Sequence, residues 1–366
     1  MIERRFGYAH PSTVRAADML QAQAGYDTAP NQPLPEPRTP AVVTPASVGV
    51  KDGGDGQSFI LIGDCGPIED VNPQKAVAAA IQAAILADPS IMAVVIGGDV
   101  CYFDGDPAQY MPQVWQAWSR VPRPLLAWPG NHDGDPTDGV TGAGIASFMA
   151  NWCDSQGPRL PQGDPQGEFN RDTQTLPYCY WAVQFSNFLL IGLYSNVASG
   201  GFIDAQQQAW LVQTMKSAPT NQPIFVGLHH PPYSIDAYHG GSVLMGATLD
   251  SCFEQSGRQP TAVLAGHIHD YQRFTRTPQP VTRTTESISY IVSGNGGYHN
   301  LHEIAGDYKQ GMQVAPDVVV DYADAAQWGF VKFTIRGGLV TGTYTQVPLL
   351  PASPVPNADN FALEAA

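Results

Sequence analysis

Short runs of apolar residues along this chain stop abruptly at polar ones, and the same ending recurs five times. FILIGD, VVIGGD, LLAWPGNHD, IFVGLHH and AVLAGHIH each read as a buried strand that ends in Asp, Asn or His. Between the first two runs a Pro-started, Ala-rich stretch predicts a helix over 72–87, and a second helix is expected over 107–119. The order is β-α-β-α-β with right-handed crossovers. Residues 134–175 form a long stretch rich in Gly and Asp, with one short helix near 145–153. YCYWAVQF and FLLIGLYS flank Ser186-Asn187 and predict a hairpin. Helices near 204–217 and 248–255 lead into IFVGLHH and AVLAGHIH. Beyond them SISYIVSGNGG, WGFVKFTIRGG and LVTGTYTQV read as antiparallel strands of a second sheet. The layout is α/β: two mixed β-sheets packed face to face, flanked by helices in a four-layer αββα sandwich. No internal repeat is visible.

The flanks differ in composition. Residues 1–57 read as an arm, because 29–45 is rich in Pro and Thr and KDGGDGQ follows it. That arm is either a linker or an irregular segment packed on the body. The folded domain is expected over 58–349, and the Pro-rich 350–366 as a tail. The N-terminus has an Arg pair without an apolar stretch behind it. It is neither a secretory nor a twin-Arg signal as written, so the chain is cytoplasmic or the mature form of an exported protein. No apolar run is long enough to span a bilayer.

Charge narrows the partners. A net charge of −15 over 366 residues argues against nonspecific binding to nucleic acid or an anionic membrane. Any attraction for an anionic substrate must then be local, and bound metal cations would supply it. The five cysteines include no C-x-x-C pair and do not make a disulfide framework. Cys65 and Cys101 sit inside two of the polar loops. They read as small buried residues rather than thiolate ligands, since hard metals prefer oxygen and nitrogen.

The chemistry lies in five ordered motifs: GDCG at 63–66, GDVCY at 98–102, GNHD at 130–133, GLHH at 227–230 and GHIHDYQR at 266–273. Strand ends in layered α/β proteins are where sites form. Asp99 can bridge two metals while the Tyr102 phenolate binds one of them, and Asp64 offers that ion a second carboxylate. His267 and His269 are two apart, so an extended backbone points both the same way. Asn131 and His229 would complete the shell of the second ion. Two ions about 3.5–4 Å apart can share a hydroxide and clamp a phosphate for in-line attack.

This ordered set resembles the metallophosphoesterase superfamily, and within it the purple acid phosphatases. The superfamily pattern opens on Asp-x-His, and Gly66 stands here in place of that His. The purple branch has GD-x-G, GD-x-x-Y, GNH[DE], a later His, and GH-x-H-x-Y-x-R, and the chain matches all five, with Tyr102, Tyr271 and Arg273. The resemblance covers 58–347. It implies a ferric ion at Asp64, Asp99, Tyr102 and His269, and a divalent ion (Fe2+, Zn2+ or Mn2+) at Asp99, Asn131, His229 and His267. It also implies that Asn131, His132 and His239 meet the substrate, with His132 and His239 binding phosphate oxygens or protonating the leaving group. The activity it implies is acid phosphatase action on small phosphomonoesters. A phosphodiesterase or nucleotide hydrolase on the same scaffold is the alternative, and a catalytically idle metal-binding or interaction protein is a third.

Three departures stand out. The arm is too short and Pro-rich for the extra N-terminal β domain of the large plant-type enzymes. The secretion signal of the animal-type enzymes is not visible. LLIGLYSN stands where the family often carries an Asp at a strand end. Other residues near the motifs read more plainly. His230 is expected to point away from the site and be structural. His299 and His302 could rim the pocket, though a solvated loop is the simpler reading. Arg273 reads as an ion-pair partner locking the GHIH loop, and SGNGG at 293–297 as a tight strand-end turn rather than a phosphate cradle. Substrate choice is expected in a rim formed by 134–175, 238–246 and 298–324.

Overall fold

Apolar runs without alternation need cover on both faces. The strands that carry them here are buried at every position, as in β1 (Gln57–Ile62) and, after helix α1 (Asn72–Ala87), β2 (Ile91–Ile96). The computed structural model describes residues 34, 36, 38–134, 145–195, 201–277, 287–306, 309–349 and 353–363. After β2 a one-turn helix α2 (Pro107–Tyr110), capped by Asp106, widens into a π-helical turn over Met111–Trp115 and leads to β3 (Leu125–Ala127). Helix α3 (Ile145–Trp152) precedes the hairpin of β4 (Trp181–Gln184) and β5 (Leu189–Gly192). Then follow α4 (Ala205–Ser217), β6 (Ile224–Gly227), α5 (Val243–Ser256), β7 (Ala262–Ala265), β8 (Tyr271–Arg276) and β9 (Ile288–Ser293). The chain continues with β10 (Gln313–Ala315), β11 (Val318–Asp324), β12 (Trp328–Arg336), β13 (Leu339–Val347) and β14 (Val355–Leu363).

These strands make two mixed sheets, in the orders β14-β13-β12-β1-β2-β3 and β10-β11-β8-β9-β7-β6-β5-β4. The sheets face each other through a knot of phenylalanines. Phe59 of β1 meets Phe225 of β6 edge-on at 5.2 Å and Phe333 of β12 at 5.0 Å, and Phe188 stacks on Phe59 at 5.8 Å. Helix α1 lies against β12 and β13, and α4 packs against α5. The expected sandwich of two mixed sheets with flanking helices is the observed architecture.

Two expectations are corrected, and a choice left open is decided. First, β9, β12 and β13 do not share a sheet. β12 pairs antiparallel with β1, extending the first sheet, while β9 runs parallel to β7 in the other. Second, the supposed tail contains β14, which pairs along β13 from Val340↔Leu363 to Gln346↔Val355. Third, the described part of the arm is packed rather than a free linker. Val43 bridges Val183 beside β4, Pro40 accepts a hydrogen bond from Trp210, Val48 and Val50 are buried, and β1 itself begins at Gln57. Residues 1–33 lie outside the described residues. Among the described residues no helix is long and apolar enough to cross a membrane.

Candidate metal centre

The parallel strands β1, β2 and β3 of one sheet and β6 and β7 of the other end at one place. The five motifs follow those ends, so all seven proposed ligands come together. The backbone there is tightly folded. Asp64, Asp99 and His267 adopt φ of 53°, 50° and 69°. A left-handed conformation is costly for non-glycine residues and persists only where the surroundings enforce it. The two sheets also approach closely: a Cβ on Gly266 would stand 2.6 Å from the Gly97 carbonyl and 2.7 Å from an Asp64 oxygen.

Two groups of donor atoms result. In one, Asp64 Oδ1 lies 3.2 Å from the Tyr102 hydroxyl and 3.5 Å from His269 Nε2, and that nitrogen is 3.3 Å from the hydroxyl. In the other, His229 Nε2 lies 3.2 Å from Asp99 Oδ2 and 3.1 Å from Asn131 Oδ1, which is also 3.1 Å from His267 Nδ1. Asp99 belongs to both, because it also interacts with Tyr102. Donors held about 2.0–2.2 Å from one ion sit roughly 3–3.5 Å from each other. The two groups therefore fit two ions with a shared carboxylate, and the donors are the hard oxygens and imidazoles such ions take.

Two of the three ligand imidazoles are oriented from behind. The Nδ1–H of His229 donates to the Gly97 carbonyl at 3.0 Å and that of His269 to Asn300 at 3.2 Å, which leaves Nε2 toward the centre. Asp133 is the buried partner of the two Asp and Asn loops: its carboxylate accepts from the amides of Val100, Cys101 and Gly130. Gln113, on the π-helical turn, binds both the amide and the carbonyl of Tyr102. Ser195 takes the position where the family often has Asp. Its Oγ accepts from the amides of His229 and His230 and bonds His230 Nδ1 at 3.0 Å.

The electrostatics of the metal-free site show what a cation would replace. Burial opposes charge on His229, but Asp99 and Asp64 outweigh it and raise its pKa to about 9. Burial holds Asp64 well above the usual carboxylate range, and burial with repulsion from Asp99 lifts Asp133 to about 7. Asp99 is held far below its ordinary value, since His229 and His132 overcome its burial. Burial, helped by neighbouring histidines, keeps His267 and His269 neutral, which is the ligand form.

The two outer histidines lie on opposite sides. The His132 ring packs 4.5 Å from that of Tyr102, its Nδ1–H donates to the Phe103 carbonyl at 2.7 Å, and its Nε2 is 4.0 Å from Asp99. The His239 ring stacks on His267 at 4.6 Å, and its amide donates to Asp236 at 2.7 Å. His302, expected in a solvated loop, is part of the site instead. It stacks on His269 at 4.3 Å and pairs with the buried Asp236 carboxylate at 3.0 Å. Nothing in the spacing of GYHNLHEIAGD ties it to Asp236, sixty-six residues earlier. His299 is mostly buried beside Glu69. His230 is buried on Ser195, though its ring also lies 4.6 Å from His267. Arg273 forms ion pairs with Asp359 and Asp321, as a locking residue should. The SGNGG turn is fastened to the first motif through Gly296 to Gly63 and Tyr298 to Asp64. Cys65 and Cys101 are buried free thiols whose pKa values burial raises. Of the expected rim, 135–144 and 307–308 lie outside the described residues.

Residues 58–271 match the model of the calcineurin-like phosphoesterases. Probable purple acid phosphatase 20 of Arabidopsis thaliana is 24% identical over 226 residues, covering 59% of this chain and 47% of that protein. The fold is similar to that of purple acid phosphatase PPD1 from yellow lupin (Lupinus luteus) seeds, with a TM-score of 0.58 and 18% identity over 84% of this chain and 53% of that one. It is equally similar to GAP50, the anchor in the inner membrane complex of Plasmodium, at a TM-score of 0.58 and 13% identity over 85% and 90% of the two chains. The chain thus spans about half the length of the two plant proteins it matches.

Proposed function

The chain belongs to the calcineurin-like phosphoesterase family, and we propose that this purple acid phosphatase-like protein hydrolyses small phosphomonoesters at a centre of two metal ions. The observation that carries the reading is the pair of donor groups sharing Asp99. Asp64, Asp99, Tyr102 and His269 would hold a ferric ion, and Asp99, Asn131, His229 and His267 a divalent one, Fe2+, Zn2+ or Mn2+. Such a pair of ions lowers the pKa of water and neutralises charge on the phosphoryl group.

The side chains do the rest. Asn131 would meet the phosphate from beside His229 and His267, His132 from the Tyr102 side and His239 from the His267 side, with main-chain bonds fixing both histidine loops. A histidine there can bind a phosphate oxygen or give a proton to the departing alkoxide. Water attacks phosphorus directly, so no phosphorylated Ser or Cys forms. The raised pKa values of Cys65 and Cys101 agree, since a buried neutral thiol is a poor nucleophile.

The test is a metal analysis and a visible spectrum of the purified protein, with rates on p-nitrophenyl phosphate and its bis-ester. Two ions per chain, a visible band that Tyr102→Phe removes, and faster turnover of the monoester are expected. A colourless protein with its iron in place would reject Tyr102 as a ligand. Faster turnover of the diester would instead favour a phosphodiesterase.

A further inference from the structure

Aromatic side chains among the described residues are buried or half-buried, with two exceptions at one site. Among the described residues Phe103, at 44% exposure, and Tyr238, at 58%, are the only Phe, Tyr or Trp side chains that stand exposed. Both touch the site. Phe103 meets His132 edge-on at 4.9 Å, and Tyr238 lies 5.1 Å from His302. A continuous row of rings joins them across the centre: Phe103, His132, Tyr102, Tyr298, His269, His302 and Tyr238, with each centroid 4.3–5.1 Å from the next. Their backbones are fixed too, since the Phe103 carbonyl accepts from His132 and the Tyr238 amide donates to Asp236 at 3.2 Å. An exposed ring forgoes the stabilisation of burial. Two such rings, each set beside a histidine at the mouth of one site, make an apolar rim suited to a flat partner.

We propose that Phe103 and Tyr238 are specificity residues that select phosphomonoesters whose leaving group carries a flat aromatic ring, nucleoside monophosphates foremost. This rests on the phosphomonoesterase reading above. The phosphate would lie near the centre of the row of rings and the base against one or other of its exposed ends.

Adenosine 5′-monophosphate and ribose 5-phosphate test it, because both release phosphate from the same kind of primary 5′ oxygen and differ in the base. Stacking on aromatic residues is worth roughly five- to hundredfold in binding. The wild type should therefore favour the nucleotide in kcat/KM by about tenfold, through KM. In Phe103→Ala/Tyr238→Ala the ratio should fall toward one, while Phe103→Tyr/Tyr238→Phe should keep it. Calorimetry with adenosine, which has no phosphate to lose, adds an arm independent of turnover: the wild type should bind it and the double alanine variant should bind it severalfold more weakly. Equal turnover of the two esters, a preference that survives the alanines, or no adenosine binding overturns the proposal. If neither ester is hydrolysed but adenosine still binds through the two rings, the phosphomonoesterase reading fails and the aromatic rim stands.

Discussion

Gly66 is the residue at which this chain leaves the general Asp-x-His pattern, and the structure gives the reason. A Cβ there would lie 2.5 Å from Gln113 Oε1 and 2.9 Å from the Tyr102 ring. The room for a side chain at 66 is taken by the tyrosine and the glutamine that pins it. Asp99, by contrast, stands between both donor groups, and the proposed bridge makes it the ligand whose loss should matter most. Asp99→Ala is expected to lose both ions and nearly all activity together, read by metal analysis after gel filtration. A variant that keeps two tightly held ions would show that Asp99 is not the bridge. The role proposed for His239 is narrower. His239→Ala should leave the metal content intact and lower kcat by roughly 10²–10⁴-fold on substrates with poor leaving groups. The loss should be far smaller on a nitrophenyl ester, whose leaving group departs unprotonated. An equal loss on both would assign it to holding phosphate.

At the scale of elements, the strand least visible in the sequence fastens the strand into which the fifth motif runs. The Asp359 carboxylate on β14 takes Arg273 through both Nε and a terminal nitrogen, at 2.8 and 3.1 Å, and accepts from the Tyr271 hydroxyl at 2.9 Å. Both partners lie on β8 in the opposite sheet, just past the two histidines of the fifth motif. Removing one partner of a buried ion pair costs about 3–5 kcal/mol in general, and Asp321 remains to Arg273 here. Asp359→Ala should thus lower stability by about 2–3 kcal/mol, read from the denaturant midpoint. The double variant Arg273→Met/Asp359→Leu should recover part of that loss. A midpoint shift within error would make β14 dispensable. The sequence shows that Arg273 seeks an ion pair but hides its partner. VPNADNFAL has no apolar alternation, because an edge strand buries few of its side chains, here Asp359 and Leu363. The strand ends and the polar residues that converge there were legible, since each couples an apolar run to a polar stop within a few residues. The sheet to which β12 belongs was not, because its pairing with β1 joins residues 57 and 335. The Asp236–His302 pair was hidden for the same reason.

Across the whole molecule the −15 charge works against binding an anion, so the ions that fill the site must reverse the potential locally. Loading those ions is expected to displace protons from the site. Without metal, His229 titrates at about 9 and Asp64 and Asp133 are raised above their ordinary values. A histidine raised above its unfolded pKa adds stability that is complete below about 6.5 and is lost as pH rises through the folded value. A raised carboxylate acts in the same direction. His267 and His269 are lowered and act oppositely, but only below the ordinary histidine value. Between pH 7 and 9, therefore, the net slope comes from groups that lose protons. The chelator-treated protein should melt at a lower temperature at pH 9 than at pH 7, with a loss of stability of at most about 3 kcal/mol for each proton released. With metal bound, the same groups carry no proton to lose, and that pH dependence should vanish. Metal binding at pH 7 should release at least one proton, measured by calorimetry in buffers of different ionisation enthalpy, and the apparent affinity for Zn2+ should rise with pH toward 9. A metal-free protein whose melting is flat from pH 7 to 9, with no proton released on loading, would show that His229 is already neutral and that the cations enter a site prepared by other means.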